Sequence, residues 1–104
     1  MTERNFTPAA PVGAVPEGTV HKVEITGKSV LLCHTQGRIF AVRNLCSHAE
    51  EALECGRMRS GWISCPAHGA RFRLETGAPM NPPATEPIET YEVRIVDGVI
   101  EVAA

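Results

Sequence analysis

Two short clusters of metal-binding side chains carry most of the chemistry open to this chain: Cys46-Ser47-His48 and Cys65-Pro66-Ala67-His68. Together they read C-x-H, an interval from Ala49 to Ser64, then C-x-x-H. Two thiolates and two imidazoles suit two common centres in a small protein. One is a structural zinc held tetrahedrally by Cys₂His₂. The other is a [2Fe–2S] cluster in which two His replace two Cys on one iron.

The segments that must position these ligands are β-like. Runs rich in Val, Ile and Phe are broken at close intervals by turn residues, the mark of short antiparallel strands. Thr19 to Ile25 places His21, Val23 and Ile25 on one face before a turn at Gly27-Lys28. Val30 to His34 and Arg38 to Val42 flank Thr35-Gln36-Gly37 as a hairpin. Trp62 to Ser64 and Ala70 to Leu74 bracket the second ligand cluster, with a turn at Thr76-Gly77. Glu89 to Val96, Asp97-Gly98 and Val99 to Val102 form a last hairpin. No stretch of a dozen residues has a 3.6-residue period, so helix is limited to at most one turn around Glu50 to Leu53. Pro79, Pro82, Pro83 and Pro87 lack too many backbone donors for a central strand and predict a stiff, ordered loop. The ligands then sit at the tips of two hairpin-like loops, Leu45 to Glu51 and Ser64 to Gly69, with the proline segment as a third wall.

A chain of 104 residues is one domain, small enough that a cofactor spanning two loops would add to its folding free energy. Ten basic residues against twelve acidic ones leave a formal charge of −2, which points to no nucleic-acid or membrane-surface partner. Met1 to Ala10 lacks the layout of a secretory signal, and no stretch approaches the roughly 18 apolar residues of a membrane span. The expected location is the cytoplasm, where thiols stay reduced and four Cys point to metal chemistry before disulfides.

The chain resembles the Rieske ferredoxins of bacterial aromatic ring-hydroxylating dioxygenase systems. The matching residues are C-S-H at 46–48, C-P-A-H-G at 65–69, F-R-L-E-T-G at 72–77 and the Pro-Pro-Ala-Thr-Glu-Pro run at 82–87. The resemblance covers essentially the whole chain. It implies an all-β Rieske fold, an antiparallel β-sandwich with a small cluster-binding subdomain of hairpin loops at about 44–84, within a single domain 1–104. It also implies one [2Fe–2S] cluster, with Cys46 and Cys65 on the inner iron and His48 and His68 on the outer, solvent-facing iron. The implied role is a one-electron carrier, not an enzyme. Electrons would pass from an NAD(P)H-dependent flavoprotein ferredoxin reductase to a terminal aromatic-ring-hydroxylating oxygenase, with the carrier a monomer. Zinc motifs usually pair like ligands, whereas each loop here supplies one Cys and one His. Two alternatives stand beside this reading: the Rieske-like small subunit of a larger reductase such as nitrite reductase, and a zinc-stabilised interaction module.

Two ferric ions, two sulfides and two thiolates sum to a neutral oxidised centre, which accepts an electron more easily than an all-Cys anion. High-potential relatives carry an extra Cys in each loop, where this chain has Glu51 and Ala67. They also carry a Ser and a Tyr that donate hydroxyl hydrogen bonds, where this chain has Ala70 and Phe72. Each missing donor lowers the potential by very roughly 60–130 mV, which predicts the low end of the Rieske range, roughly −150 to +300 mV. Elsewhere, Cys33 reads as a buried structural thiol and Cys55 as a spare one. His21 and His34 read as ordinary strand or turn residues, and Trp62 as an aromatic wall. Glu50, Glu51 and Glu54 form an acidic loop face beside His48. Arg57, Arg59, Arg71 and Arg73 alternate in the manner of strand faces with surface salt bridges.

Overall fold

A computed structural model describes residues 5–46, 52–66, 69–81 and 86–104. Its strands are β1 (Thr7–Pro11), β2 (Val20–Ile25), β3 (Lys28–Thr35), β4 (Arg38–Arg43), β5 (Met58–Arg59), β6 (Trp62–Ser64), β7 (Arg71–Arg73), β8 (Thr90–Val96) and β9 (Val99–Ala103). The only helical segments among the described residues are single 3₁₀ turns at Val12–Ala14 and Leu53–Cys55. No helix there is long and apolar enough to cross a membrane.

Four of the connections are two-residue hairpins ending in glycine: Thr26-Gly27, Gln36-Gly37, Ser60-Gly61 and Asp97-Gly98. All eight residues have positive φ, the conformation that a type I′ turn requires and that matches the twist of the flanking strands. These turns set the register, pairing Ile25 with Lys28, Thr35 with Arg38, Arg59 with Trp62 and Val96 with Val99. The first two expected turns were therefore placed slightly wide of the observed ones.

The strands form two antiparallel sheets. One has six strands in the order β1-β9-β8-β4-β3-β2, the other three in the order β5-β6-β7. In the large sheet β1 also approaches β2, at the opposite edge, so the sheet curls around its core. β1 has no clear strand signal in its sequence, Thr-Pro-Ala-Ala-Pro. It pairs only with β9, through a register shift between Pro8 and Ala10, the edge position where missing proline donors cost least. A 3₁₀ turn at Leu53–Cys55 overlaps the end of the range expected for a helical turn, Glu50 to Leu53; Glu50 and Glu51 lie outside the described residues.

Strand β3 joins the two layers. Val30 and Leu32 point into one apolar cluster with Val15, Ile25, Ala41, Ile100 and Val102. Leu31 and Cys33 point the other way, into a second cluster with Val42, Leu53, Ile63, Phe72 and Leu74. Burial on both faces explains the unbroken apolar run Val30–Cys33, since a strand with one wet face alternates. The second cluster lies under the three-stranded sheet, so β3 is the floor on which that sheet rests.

Truncating either face of β3 should therefore weaken the whole fold. Leu31→Ala and Leu32→Ala are each expected to cost about 2–5 kcal/mol, read as a lowered midpoint in denaturant unfolding of the loaded protein. A substantial loss for only one of them would show that only one face of β3 is part of a core.

Candidate metal centre

Cys46 follows β4 after two residues that fix its approach. The Asn44 N–H donates to the Ser29 carbonyl at 2.9 Å, extending the β3–β4 ladder, and the Leu45 N–H turns back to the Arg43 carbonyl at 2.8 Å. The Asn44 side chain, nearly buried, then ties this strand end to the 3₁₀ turn. Its Oδ1 accepts from the Leu53 N–H at 2.8 Å and from the Glu54 N–H at 3.0 Å. Its Nδ2 lies 3.2 Å from Ser29 Oγ and 3.1 Å from Glu54 Oε1. These contacts satisfy backbone donors that the first turn of a helical segment leaves open.

Cys65 follows β6 and opens the loop back to β7. Its N–H donates to the Ala70 carbonyl at 2.7 Å, and the Gly69 N–H returns to the Cys65 carbonyl at 2.9 Å, closing the loop at its base. Asn81 braces it from outside: Oδ1 accepts from the Arg71 N–H at 2.8 Å, and Nδ2 reaches the Gly69 carbonyl at 3.4 Å. The 3₁₀ turn packs so closely here that a Cβ on Gly56 would run into the Ser64 carbonyl, so only glycine fits. Residues 79–81 line this edge, Pro79 bridging Phe72 and the Met80 N–H donating to the Arg71 carbonyl, while Pro82 and Pro83 of the expected proline wall lie outside the described residues.

The two cysteines thus arrive from separate loops in one apolar cluster, each 1 % exposed, among Leu53, Ala70 and Phe72. His48 and His68 lie outside the described residues. Two buried sulfurs, with a His two residues beyond one Cys and three beyond the other in sequence, are a donor set that fits a centre of mixed thiolate and imidazole ligation.

The Rieske [2Fe-2S] domain family matches residues 5–92. The chain belongs to the Rieske [2Fe–2S] family. The anthranilate 1,2-dioxygenase ferredoxin subunit of Burkholderia cepacia is 36 % identical over 105 residues, covering 98 % of this chain and 97 % of that protein. The ferredoxin of carbazole 1,9a-dioxygenase from Nocardioides aromaticivorans superposes with a TM-score of 0.90 at 32 % identity, over 95 % of this chain and 97 % of that one. A chain in the complex of reduced oxygenase and oxidized ferredoxin in carbazole 1,9a-dioxygenase superposes at 0.89 with 25 % identity, over 97 % and 94 %. This Rieske domain is accordingly an iron–sulfur electron carrier of the ferredoxin type, holding one [2Fe–2S] cluster.

Other residues singled out in the sequence sit around this Rieske centre in different ways. Ala70 and Phe72 are fully buried in the cysteine cluster and bring no hydroxyl to it. Cys33 is buried there too; desolvation pushes its thiol from 9.0 up to about 12, so it stays protonated at neutral pH as a core residue. His34 is remote, its Nδ1 2.7 Å from the Val15 carbonyl and its Nε2 3.2 Å from Glu17 Oε1. Glu54 does not extend a solvated acidic face: it takes the Asn44 hydrogen bond and lies 3.6 Å from Lys22 Nζ. Sequence reasoning passed over Asn44 and Asn81, which look like ordinary loop asparagines. The only available signal was position, Asn44 standing two residues before the first ligand-type Cys.

Asn44→Ala is expected to cost about 1–3 kcal/mol, because the buried Leu53 N–H loses its acceptor. The readout is a lowered midpoint of thermal bleaching of the visible chromophore. An unchanged midpoint would mean that the Asn44 bridge does not hold the first loop.

Proposed function

We propose that this chain is the ferredoxin component of an aromatic-ring-hydroxylating dioxygenase system, and that Cys46, His48, Cys65 and His68 are its cluster ligands. Residues 44–84 form the cluster-binding subdomain of the single domain 1–104. The observation that carries this reading is the convergence of Cys46 and Cys65, from two separate loops, in one buried apolar cluster. The full-length likeness to ferredoxins of dioxygenase systems supports it.

When bound, a Cys₂His₂ [2Fe–2S] cluster supplies a one-electron centre that is neutral when oxidised. The chain's own residues set the conditions around it. Leu53, Ala70 and Phe72 keep water from the Cys46 and Cys65 sulfurs. The hydrogen bonds of Asn44 and Asn81 hold the two loops in place. Ala70 and Phe72 leave the potential without hydroxyl support, so this carrier works at the low end of the Rieske range. Electrons come from an NAD(P)H-dependent flavoprotein reductase and pass to a terminal oxygenase through His48 and His68. Both encounters are small and short-lived, as is usual for redox contacts, and the carrier works as a cytoplasmic monomer.

An anaerobic redox titration followed by visible absorption tests this. The expected result is a red-brown chromophore bleached by one electron near the bottom of the range, about −150 mV. The same titration on His68→Cys should move to lower potential, because a thiolate replaces a neutral imidazole. A colourless protein would overturn the electron-carrier reading in favour of zinc, and an unmoved potential in the variant would remove His68 from the ligand set.

A further inference from the structure

The three-stranded sheet has one buried and one open face. Met58, Ile63 and Phe72 pair across it and point inward. The alternating positions point outward, and their register makes a pattern. Trp62 stands opposite Arg59 on one side and Arg73 on the other. Ser64 stands opposite Arg71 in β7, and on the β5 side its N–H donates to the Arg57 carbonyl at 2.8 Å. Two arginine columns therefore flank a central Trp62–Ser64 strip, roughly 10 Å apart at two strand spacings. All four arginines are exposed.

Among the described residues, these arginines form none of the surface salt bridges expected of them. The described ion pairs are Lys22–Glu54, His34–Glu17, Arg43–Glu89 and Arg94–Glu101, none on this face. On this face Arg71 stacks 5.1 Å over the Trp62 ring. Four of the chain's ten basic residues thus crowd one small face of a molecule with net charge −2. A depression of about 330 Å³ lined by Gly56, Arg57, Ser64, Cys65, Pro66 and Gly69 leads from this face to the second ligand loop.

We propose that this face is a docking surface for a carboxylate-rich face of a protein redox partner, seating that partner beside the Cys65 loop. The inference rests on the electron-carrier reading and adds to it a surface and its chemistry. Arginine and tryptophan are the side chains most enriched where protein interfaces concentrate their binding energy. A guanidinium also takes a carboxylate through two parallel hydrogen bonds. Uncompensated charge beside the exit of an electron raises the encounter rate with an oppositely charged partner. A nucleic acid would use similar side chains, but Arg71 already covers the Trp62 ring where a base would stack, and the acidic net charge repels a polyphosphate.

The test uses calorimetric titration of the loaded protein with poly-L-glutamate at low salt. Wild type is compared with Arg59→Gln/Arg73→Gln and with Lys28→Gln/Arg38→Gln, which removes the same charge from the large sheet. The expected result is binding that weakens roughly tenfold in the first variant and less than twofold in the second, with both variants retaining the wild-type visible spectrum. Absence of binding, or equal losses in the two variants, would overturn the docking surface. Tighter binding of an oligothymidylate of matched charge would overturn it in favour of a nucleic-acid face. A wild-type protein without a visible chromophore would instead overturn the electron-carrier reading, so the two failures are told apart.

Discussion

Burial of one strand on both faces organises this molecule. Val30 and Leu32 enter the core of the curled six-stranded sheet, while Leu31 and Cys33 enter the core beneath the three-stranded sheet. The small sheet contributes only eight strand residues, far too few to bury an apolar face alone. It is ordered because Ile63, Phe72 and Leu74 close onto Leu31, Phe40 and Val42. Cys46 and Cys65 lie in that same cluster, so the apolar packing that gives the small sheet its stability also fixes and dries the two sulfurs proposed as ligands. Fold and site share one set of contacts.

What packing leaves loose, hydrogen bonds restrain. Cys65 stands one residue and Cys46 three residues beyond a strand end, where ladder hydrogen bonds run out. In the first loop Asn44 carries the restraint across to the 3₁₀ turn; in the second, Cys65, Gly69 and Ala70 close a backbone ring and Asn81 pins its flank. A site held on such supports keeps its geometry only if the supporting residues are themselves held. Asn44 meets that condition through Ser29, and Asn81 through the strand-like pairing of residues 78–80 with β7.

The parts legible in the sequence were those with few chemical alternatives. Cys and His are scarce and their spacing is specific, so the ligand-type residues and the family were plain; the placement of His48 and His68 lies outside the described residues. Hairpins with a glycine at the turn were legible because few other residues adopt positive φ. Their centres drifted by a residue because Thr26 and Gln36, the other halves of the turns, carry no such mark. β1 was missed because Pro8 and Pro11 argue against a strand everywhere except at an edge. β5 was missed because two residues show no period at all. Asn44 and Asn81 were missed because an asparagine in a loop most often serves its own turn, and only tertiary structure shows one bridging two segments. The arginine alternation was seen, but not its lack of carboxylate partners among the described residues, because pairing across strands cannot be read along one.

The same arginines bear on the potential, and magnitudes decide how far. Exposed charges act through water and a Debye length of about 8 Å, so four of them, even if each stood ~10 Å from a redox centre, would together shift its potential by only about 20 mV. A single hydroxyl hydrogen bond is worth very roughly 60–130 mV. Ala70 and Phe72, buried and without hydroxyls, therefore outweigh the whole basic face in setting the driving force. The basic face is suited to what long-range charge does well, which is bringing a partner in and turning it the right way. A partner that excludes water over the Trp62 strip strengthens each guanidinium–carboxylate contact by lowering the local dielectric, while its own carboxylates cancel the field at the metal centre. Docking on this face then tightens the encounter while leaving the potential close to that of the isolated carrier, so that recognition and driving force are set by separate residues.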